Sequence, residues 1–311
     1  MSMSDTTSTT EYAIRHEALL AAESPWRRFR GEFAESRLAL LGLCLLVLII
    51  VVAVAAPLIS PQNPYDLAQL DVMDSKLAPG EASMDGKHYW LGTDDQGRDM
   101  LSGIFYGLRI SLGVGVVSTL FALGVGVAFG LVAAYFGGWV DALIMRVVDI
   151  QLSFPAILIA LVLLAVLGQG VDKVVIALVT VQWAYYARTV RSAALVERHK
   201  EYMEAAQVLA LSRTRIVFRH LFPNCLPPLI VVATIQVAHA INLEAALSFL
   251  GLGLPITEPS LGLLISNGFQ YLLSGKYWIS FYPGVALLTT IVAINLVADQ
   301  LRDVLNPRLK R

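Results

Sequence analysis

Charge is scarce in this chain: 15% of its 311 residues are charged against 56% apolar, and the mean hydropathy is positive. That balance excludes an ordinary soluble domain and points to a lipid bilayer. Cysteine is nearly absent. The two present, Cys44 and Cys225, fall in or beside apolar runs, so a disulfide framework is excluded and both read as buried fillers. There is no G-x-x-x-x-G-K-[ST] phosphate cradle, and the lone Gly275 with Lys276 is followed by Tyr277, so the chain has no means of hydrolysing ATP by itself. H-E-x-x-H and G-x-S-x-G are also missing, which removes the familiar membrane-embedded hydrolases. The first ten residues are polar and Ser/Thr-rich with no short apolar core or cleavage site, which argues against a cleaved signal peptide.

What is present is a series of long apolar runs. Residues 38–59 give 22 positions without a charge, enough at about 1.5 Å per residue to cross about 30 Å of hydrocarbon, with Pro57 and Pro61 expected to end the span. Further spans are predicted at about 110–136, 150–171, 174–194, 226–247 and 282–298. The chain therefore reads as an all-α integral membrane protein of six transmembrane helices. Its segments are 1–37, polar and basic (Arg15, Arg27, Arg28, Arg30, Arg37) with Trp26 and Phe29 suited to an interface; the first span at 38–59; a loop at 60–109; and a core of five spans at 110–311. Between 60 and 108 there are eight acids and three bases. With both ends inside, 17 Lys and Arg lie on the cytoplasmic side and 6 outside, and the reverse orientation would invert that bias, so N-in and C-in is expected.

Within the spans, Gly126 and Gly130 have the small-xxx-small spacing that lets helix backbones approach. Arg146 and Asp149 are spaced for an ion pair on one helix face, and Arg188 and Arg191 can snorkel to the inner headgroups. Pro155 is expected to kink the third span, either as a flexing point or as a bend fixed by packing. His239 and Glu244, ionisable groups inside or at the outer end of the fifth span, are candidates for a translocation path; for Glu244 the alternative is a structural hydrogen bond to the outer loop.

Two polar stretches carry more information. The first, 197–224, is a charged island of 28 residues with a helical pattern of its own. Tyr202, Ala205, Ala206 and Leu209 share one stripe, opposite Lys200, Glu201, Glu204 and Gln207, so something apolar should meet that stripe. A sharp turn is expected near Ala210, then a second helix with Ser212 at its N-cap, ended by Pro223 pushing Phe222 out of the α region. The second stretch is G-T-D-D-Q-G-R-D, containing Gly92, Thr93, Asp94, Gly97, Arg98 and Asp99, followed by Y-G-L-R-I-S-L. Its acids lack the alternate spacing and terminal glutamate of an EF-hand, so a turn capped by Asp94 is expected, with Arg98 pairing to an acid that the sequence does not single out.

The E-A-A run at 204–206, the small residue at 210 and the basic, Pro-terminated half at 213–223 resemble the EAA loop of ABC importer permeases. The G-T-D-x-x-G-R-D run with Y-G-x-R-I-S-L, and E-A-A-L-S-F-L-G-L-G from Glu244 onwards, resemble the dipeptide and oligopeptide branch, in its second membrane subunit. The family usually has Gly where this chain has Ala210. A left-handed turn would cost Ala about 1–2 kcal/mol, so the turn is expected to be right-handed or displaced by a residue. The resemblance implies a type I ABC importer permease fold in a bacterial inner membrane, with a coupling helix in which Glu204 orients and Tyr202, Ala205, Ala206 and Leu209 fill a groove of a separate ATPase. It implies as partners a homologous permease subunit, one or two cytoplasmic ATPases that use ATP and Mg, an extracytoplasmic binding protein and a peptide; no cofactor, metal, catalytic residue or nucleic acid is expected on this chain. Dipeptide is the first substrate reading, with oligopeptide, nickel chelates or other small cargo as alternatives. The class alternative is an ATP-independent secondary transporter, which should show more ionisable groups in its spans and two matching halves.

Overall fold

The computed structural model describes residues 25–83 and 86–305, apart from the side chains of Pro25, Trp26, Arg28, Leu67 and Gln207. Arg15 with the rest of 1–24, and the closing basic run at 306–311, lie outside the described residues, as do the side chains of Trp26, Arg28 and Gln207 on which expectations were placed.

Among the described residues the regular elements are helices. Helix α1, Pro25–Ala34, stacks Phe29 on Phe33 at 6.2 Å between ring centroids and sets Phe33 against Ala39 and Val297. Ser36 then caps α2, Arg37–Ile59, by accepting from the Ala39 N–H at 3.2 Å. Pro57 lies inside this helix rather than ending it. The stop comes at Ser60, held extended at φ −72, ψ 130 because Pro61 follows. An irregular stretch holding two short 3-10 turns, Leu67–Gln69 and Val72–Asp74, leads to α3, Met100–Phe136, which starts ten residues before the expected span because Asp99 caps it.

The third span departs furthest from expectation. Pro155 does not kink one helix; it separates α4, Gly138–Leu152, from α5, Ala156–Leu167, at an 89° bend. Pro155 has ψ 127 and cannot donate to continue the ladder, while the Ser153 N–H and hydroxyl both close back on the Asp149 carbonyl. Helix α6, Val171–Arg198, follows. After it come α7, Glu201–Val208; the long helix α8, Arg213–Phe249; α9, Leu261–Phe269; and α10, Trp278–Leu305.

By length and composition, four helices among the described residues can cross a membrane: α2, α3, α8 and α10, or five spans if the bent pair α4 and α5 is one. Helix α6 is long enough at 28 residues, but it carries charge at both ends. Two of its arginines find carboxylate partners on α4. Arg191 pairs with Asp141 at 2.6 Å, and Arg188 pairs with Asp149, so Asp149 takes its partner from α6 and not from Arg146. These bonds tie α4 along α6.

The close approach expected of Gly126 and Gly130 is realised between α3 and α6. A Cβ on Gly126 would fall 2.4 Å from Tyr186 Cβ, and one on Gly130 2.6 Å from the Ala187 carbonyl oxygen, so only hydrogen fits. Around this seam lie two apolar cores. One, near the start of α3, gathers Val114, Leu164, Leu178 and Leu247; the other, near its end, gathers Leu131, Val190, Met203, Leu221 and Cys225.

Candidate functional site

The 197–224 stretch is built outward from that second core. Tyr202 donates to Glu197 at 2.7 Å and accepts from Asn224 at 3.2 Å, tying α7 to α6 on one side and α8 on the other. Burial, and the Glu197 carboxylate to which it donates, push the Tyr202 phenol up to about 12, so it stays a neutral donor. Beside it Met203 and Ala206 are 1% and 3% exposed, packed on the apolar core.

The expected stripe is therefore divided. Ala206 cannot fill a groove on another protein, because its own chain already covers it, and Tyr202 is half-buried. Glu204, Ala205 and Leu209 point outward together with Val208, the last two 72% and 87% exposed respectively. Periodicity located an apolar face but not what it would meet. The inner side of α7 packs on the protein, and an apolar tip is left free.

The turn after α7 is left-handed at Ala210 itself, φ 50, correcting the expectation of a right-handed or displaced turn. The Leu211 N–H donates to the Ala206 carbonyl at 3.2 Å, the six-to-one closure of a Schellman motif, and this returns Leu211 to the core. Ser212 stands at the N-cap of α8 with φ −60, ψ 145, although its hydroxyl makes no capping bond. Pro223 does not end the helix. Phe222 stays helical at φ −59, ψ −46, and residues Ile216–Leu221 form a π turn closed by the Phe222 N–H on the Val217 carbonyl. The wider turn admits the proline ring without breaking the helix.

At the far end of α3, the G-T-D-D-Q-G-R-D run is an interlocked turn. Asp94 Oδ1 accepts from the Gln96 and Arg98 amides at 2.8 and 2.9 Å, the expected capped turn. Thr93 Oγ1 donates to the Asp74 carbonyl at 2.5 Å and accepts from the Leu77 amide at 2.8 Å. Gly97, at φ 75, sits so close to the Asp71 carbonyl that a Cβ would lie 2.0 Å from its oxygen, and Gly92 takes φ 76. Asp99 Oδ2 accepts from the Ser102 amide and hydroxyl, while its own amide donates to Gln62 Oε1 at 2.6 Å. The Arg98 guanidinium donates to Gln96 Oε1 and, at 3.0 Å, to the Ile256 carbonyl beyond α8, while the contact of Arg98 with an acid is made by its backbone amide on Asp94. Burial raises the Asp94 carboxyl to about 6, against the opposing pull of the Arg98 amide and guanidinium.

The two ionisable groups of the fifth span have different surroundings. Glu244 is fully buried, accepting from Ser111 of α3 and Ser248 of α8 at 2.8 Å each, and Ser111 in turn accepts from the Leu261 amide at 3.4 Å. It joins α3, α8 and α9, in line with the structural hydrogen bond named as its alternative role. His239 is exposed on a cavity of about 410 Å³ between α6, α8 and the start of α5. Gln182, Tyr185, Gln236 and Asn242 line the same cavity and were not singled out from the sequence. The signal available was the three-residue spacing of Gln236, His239 and Asn242 along an otherwise apolar helix.

Comparison with known proteins adds independent findings. Residues 126–311 match the family model described as binding-protein-dependent transport system inner membrane component, and residues 24–79 match that of the N-terminal TM domain of oligopeptide transport permease C. The dipeptide transport system permease protein DppC of Alkalihalophilus pseudofirmus is 36% identical over 93% of this chain and 92% of its own. The di/tripeptide transport system permease protein DppC of Pseudomonas aeruginosa is 36% identical over 94% and 95%. The oligopeptide transport system permease protein OppC of Bacillus subtilis is 35% identical over 93% and 91%. Among solved structures, an inward-facing conformation of the MetNI methionine ABC transporter superposes with a TM-score of 0.54 at 21% identity, covering 67% of this chain and 98% of that one, a likeness of fold.

Proposed function

This chain belongs to the family of binding-protein-dependent transport system inner membrane components, and we propose that it is the second permease subunit of an importer for di- and oligopeptides. It is a multi-pass inner-membrane permease subunit of an ABC transporter and not an enzyme; ATP is hydrolysed by separate subunits. The observation that carries the coupling role is the free apolar tip of α7. Eight residues are anchored by Tyr202, Met203 and Ala206 while Ala205, Val208 and Leu209 stand exposed, the form of a short helix waiting for a groove.

In this reading six spans run N-in and C-in, with α6 as one of them and the bent pair α4 and α5 as another. The basic-residue count of 17 inside and 6 outside supports that orientation, and it puts α7 in the cytoplasm. One or two ATPase subunits, using ATP and Mg, receive α7. A homologous permease completes the path, and an extracytoplasmic binding protein delivers peptide to the 60–109 side. Closure of the ATPases on ATP tilts α7, which moves α6 and α8 through the bonds of Tyr202; the path opens outward, and hydrolysis resets it. Glu204, exposed beside the tip, orients the helix in its groove. His239 lines the path. Dipeptide is the first choice of cargo because relatives over nearly the whole chain carry that name.

The test is purification of the chain from native membrane in mild detergent, followed by ATPase and uptake assays in proteoliposomes. Co-purifying ATPase subunits, with turnover stimulated by dipeptide and binding protein, would support the reading. A chain that purified alone and moved solute without ATP would overturn it.

A further inference from the structure

The cavity beside His239 carries two polar groups whose hydrogen-bonding capacity is unused. Gln182, on α6, and Gln236, on α8, are 3% and 7% exposed. The Gln182 amide nitrogen donates to the Gln236 backbone carbonyl at 3.2 Å, which fixes the side chain across the gap between the helices. That leaves the Gln182 Oε1 acceptor and the Gln236 Nε2 donor buried and without a partner, both on residues that line the cavity. Buried amide atoms are costly to leave unmet, and an unmet donor and an unmet acceptor on two residues of one cavity wall match in kind the carbonyl and N–H of a peptide bond.

The rest of the lining fits a ligand of that kind. No Asp, Glu, Lys or Arg contributes to it; Tyr185, His239 and Asn242 add polar edges, and Ala156, Ile157 and Leu243 add apolar wall. At about 410 Å³ the space lies in the range of small-molecule sites. We propose that this cavity is a binding site for the main-chain amide of a peptide in transit, with Gln182 Oε1 accepting from the peptide N–H and Gln236 Nε2 donating to its carbonyl. The inference rests on the importer reading and adds a location and a mode of recognition to it. Recognition through neutral amides accounts for acceptance of many side chains, because every peptide presents the same pair of atoms. It also keeps the hold weak enough for release.

The experiment uses the complete transporter in proteoliposomes with Ala-Ala and with its analogue methylated on the peptide nitrogen. Gln182→Leu and Gln236→Leu are each expected to raise KM for Ala-Ala about tenfold. Gln182→Leu should also erase whatever preference the wild type shows for Ala-Ala over the N-methyl analogue. An unchanged KM and an unchanged preference would overturn the site. Because a leucine variant can fail to insert, a second measurement leaves both glutamines intact: Tyr185→p-benzoylphenylalanine is irradiated with labelled Ala-Ala. Cross-linking that unlabelled peptide competes away supports the site, and its absence overturns it. If wild type shows no ATP-driven uptake but the cross-link forms, the importer reading falls and the peptide site stands.

Discussion

The Leu211 N–H donates to the Ala206 carbonyl at 3.2 Å across a turn in which Ala210 is held at φ 50. Tertiary structure imposes that conformation: Ala206 and Leu211 both belong to the core under α7, and only a left-handed residue between them lets the chain reverse and bury both. The alanine Cβ opposes it.

Ala210→Gly should therefore stabilise the protein. Relief of about 1–2 kcal/mol of left-handed strain exceeds the roughly 0.4–1 kcal/mol of extra chain entropy that glycine brings to the unfolded state. A net gain of about 1 kcal/mol is expected, read as a higher midpoint in thermal unfolding of the purified chain. A lower midpoint would mean that the turn is not left-handed.

The tip of α7 and its anchored face should respond differently to the same change. Leu209→Asp adds a charge to an exposed position, so insertion and folding should be unaffected while peptide uptake per ATP hydrolysed falls at least tenfold. Ala206→Asp places a carboxylate in the apolar core and should lower the yield of folded protein before any question of coupling arises. Normal uptake by Leu209→Asp would remove α7 from the coupling role.

Glycines of α3 divide by what surrounds them. Gly126→Leu must force α3 and α6 apart at Tyr186 and should cost about 3 kcal/mol or prevent folding. Gly124, two residues away, would set its Cβ in open space, so Gly124→Ala should be neutral or stabilise by about 0.5–1 kcal/mol. Comparing detergent-resistant folded yield for the two variants checks the seam.

A pH dependence is expected in the turn before α3. Burial raises the Asp94 carboxyl to about 6, so the folded turn binds a proton more tightly than the unfolded chain. Its contribution is fully present below the ordinary carboxylate range and is lost as pH rises from about 4 through 6. Asp94→Asn keeps an acceptor for the Gln96 and Arg98 amides and has no proton to lose. Relative to wild type it should gain stability between pH 4.5 and pH 7, measured by hydrogen exchange of the Arg98 amide. Parallel profiles for the two proteins would contradict this.

Much of the fold was legible because lipid imposes a simple rule: uncharged runs such as 38–59 must be helical and long. Gly126 with Gly130 and the Asp94 turn were legible for local reasons, a spacing in one case and a side chain reaching its own backbone in the other. What escaped depended on partners distant in sequence. Nothing near Asp149 indicates that Arg188 will reach it, and nothing in a helical stripe says whether Ala206 faces its own chain or another. Pro155 and Pro223 show the limit most directly. Each is a helix breaker by local rule, yet one ends a helix at an 89° turn and the other sits in a continuous helix because a π turn precedes it. Gln182 and Gln236 were invisible for a related reason, since an amide in a span attracts notice only once its missing partners can be counted.

The π turn at Ile216–Leu221 also affects how this chain tolerates a change in length. It holds one residue more than a regular turn, so the part of α8 that carries Gln236, His239 and Glu244 is out of phase, by about 100°, with the part that begins at Arg213. Deleting one residue from this turn would close it to regular α pitch and set the Pro223 ring against a carbonyl of the turn before it. The later part is clamped at Glu244 and against α3, so the rotation would fall on the short basic arm, moving Arg213 and Arg215 a quarter-turn or more around the axis. The inserted residue thus acts as a phase setting between two ends of one helix, and a one-residue indel there is expected to be far less tolerable than a substitution.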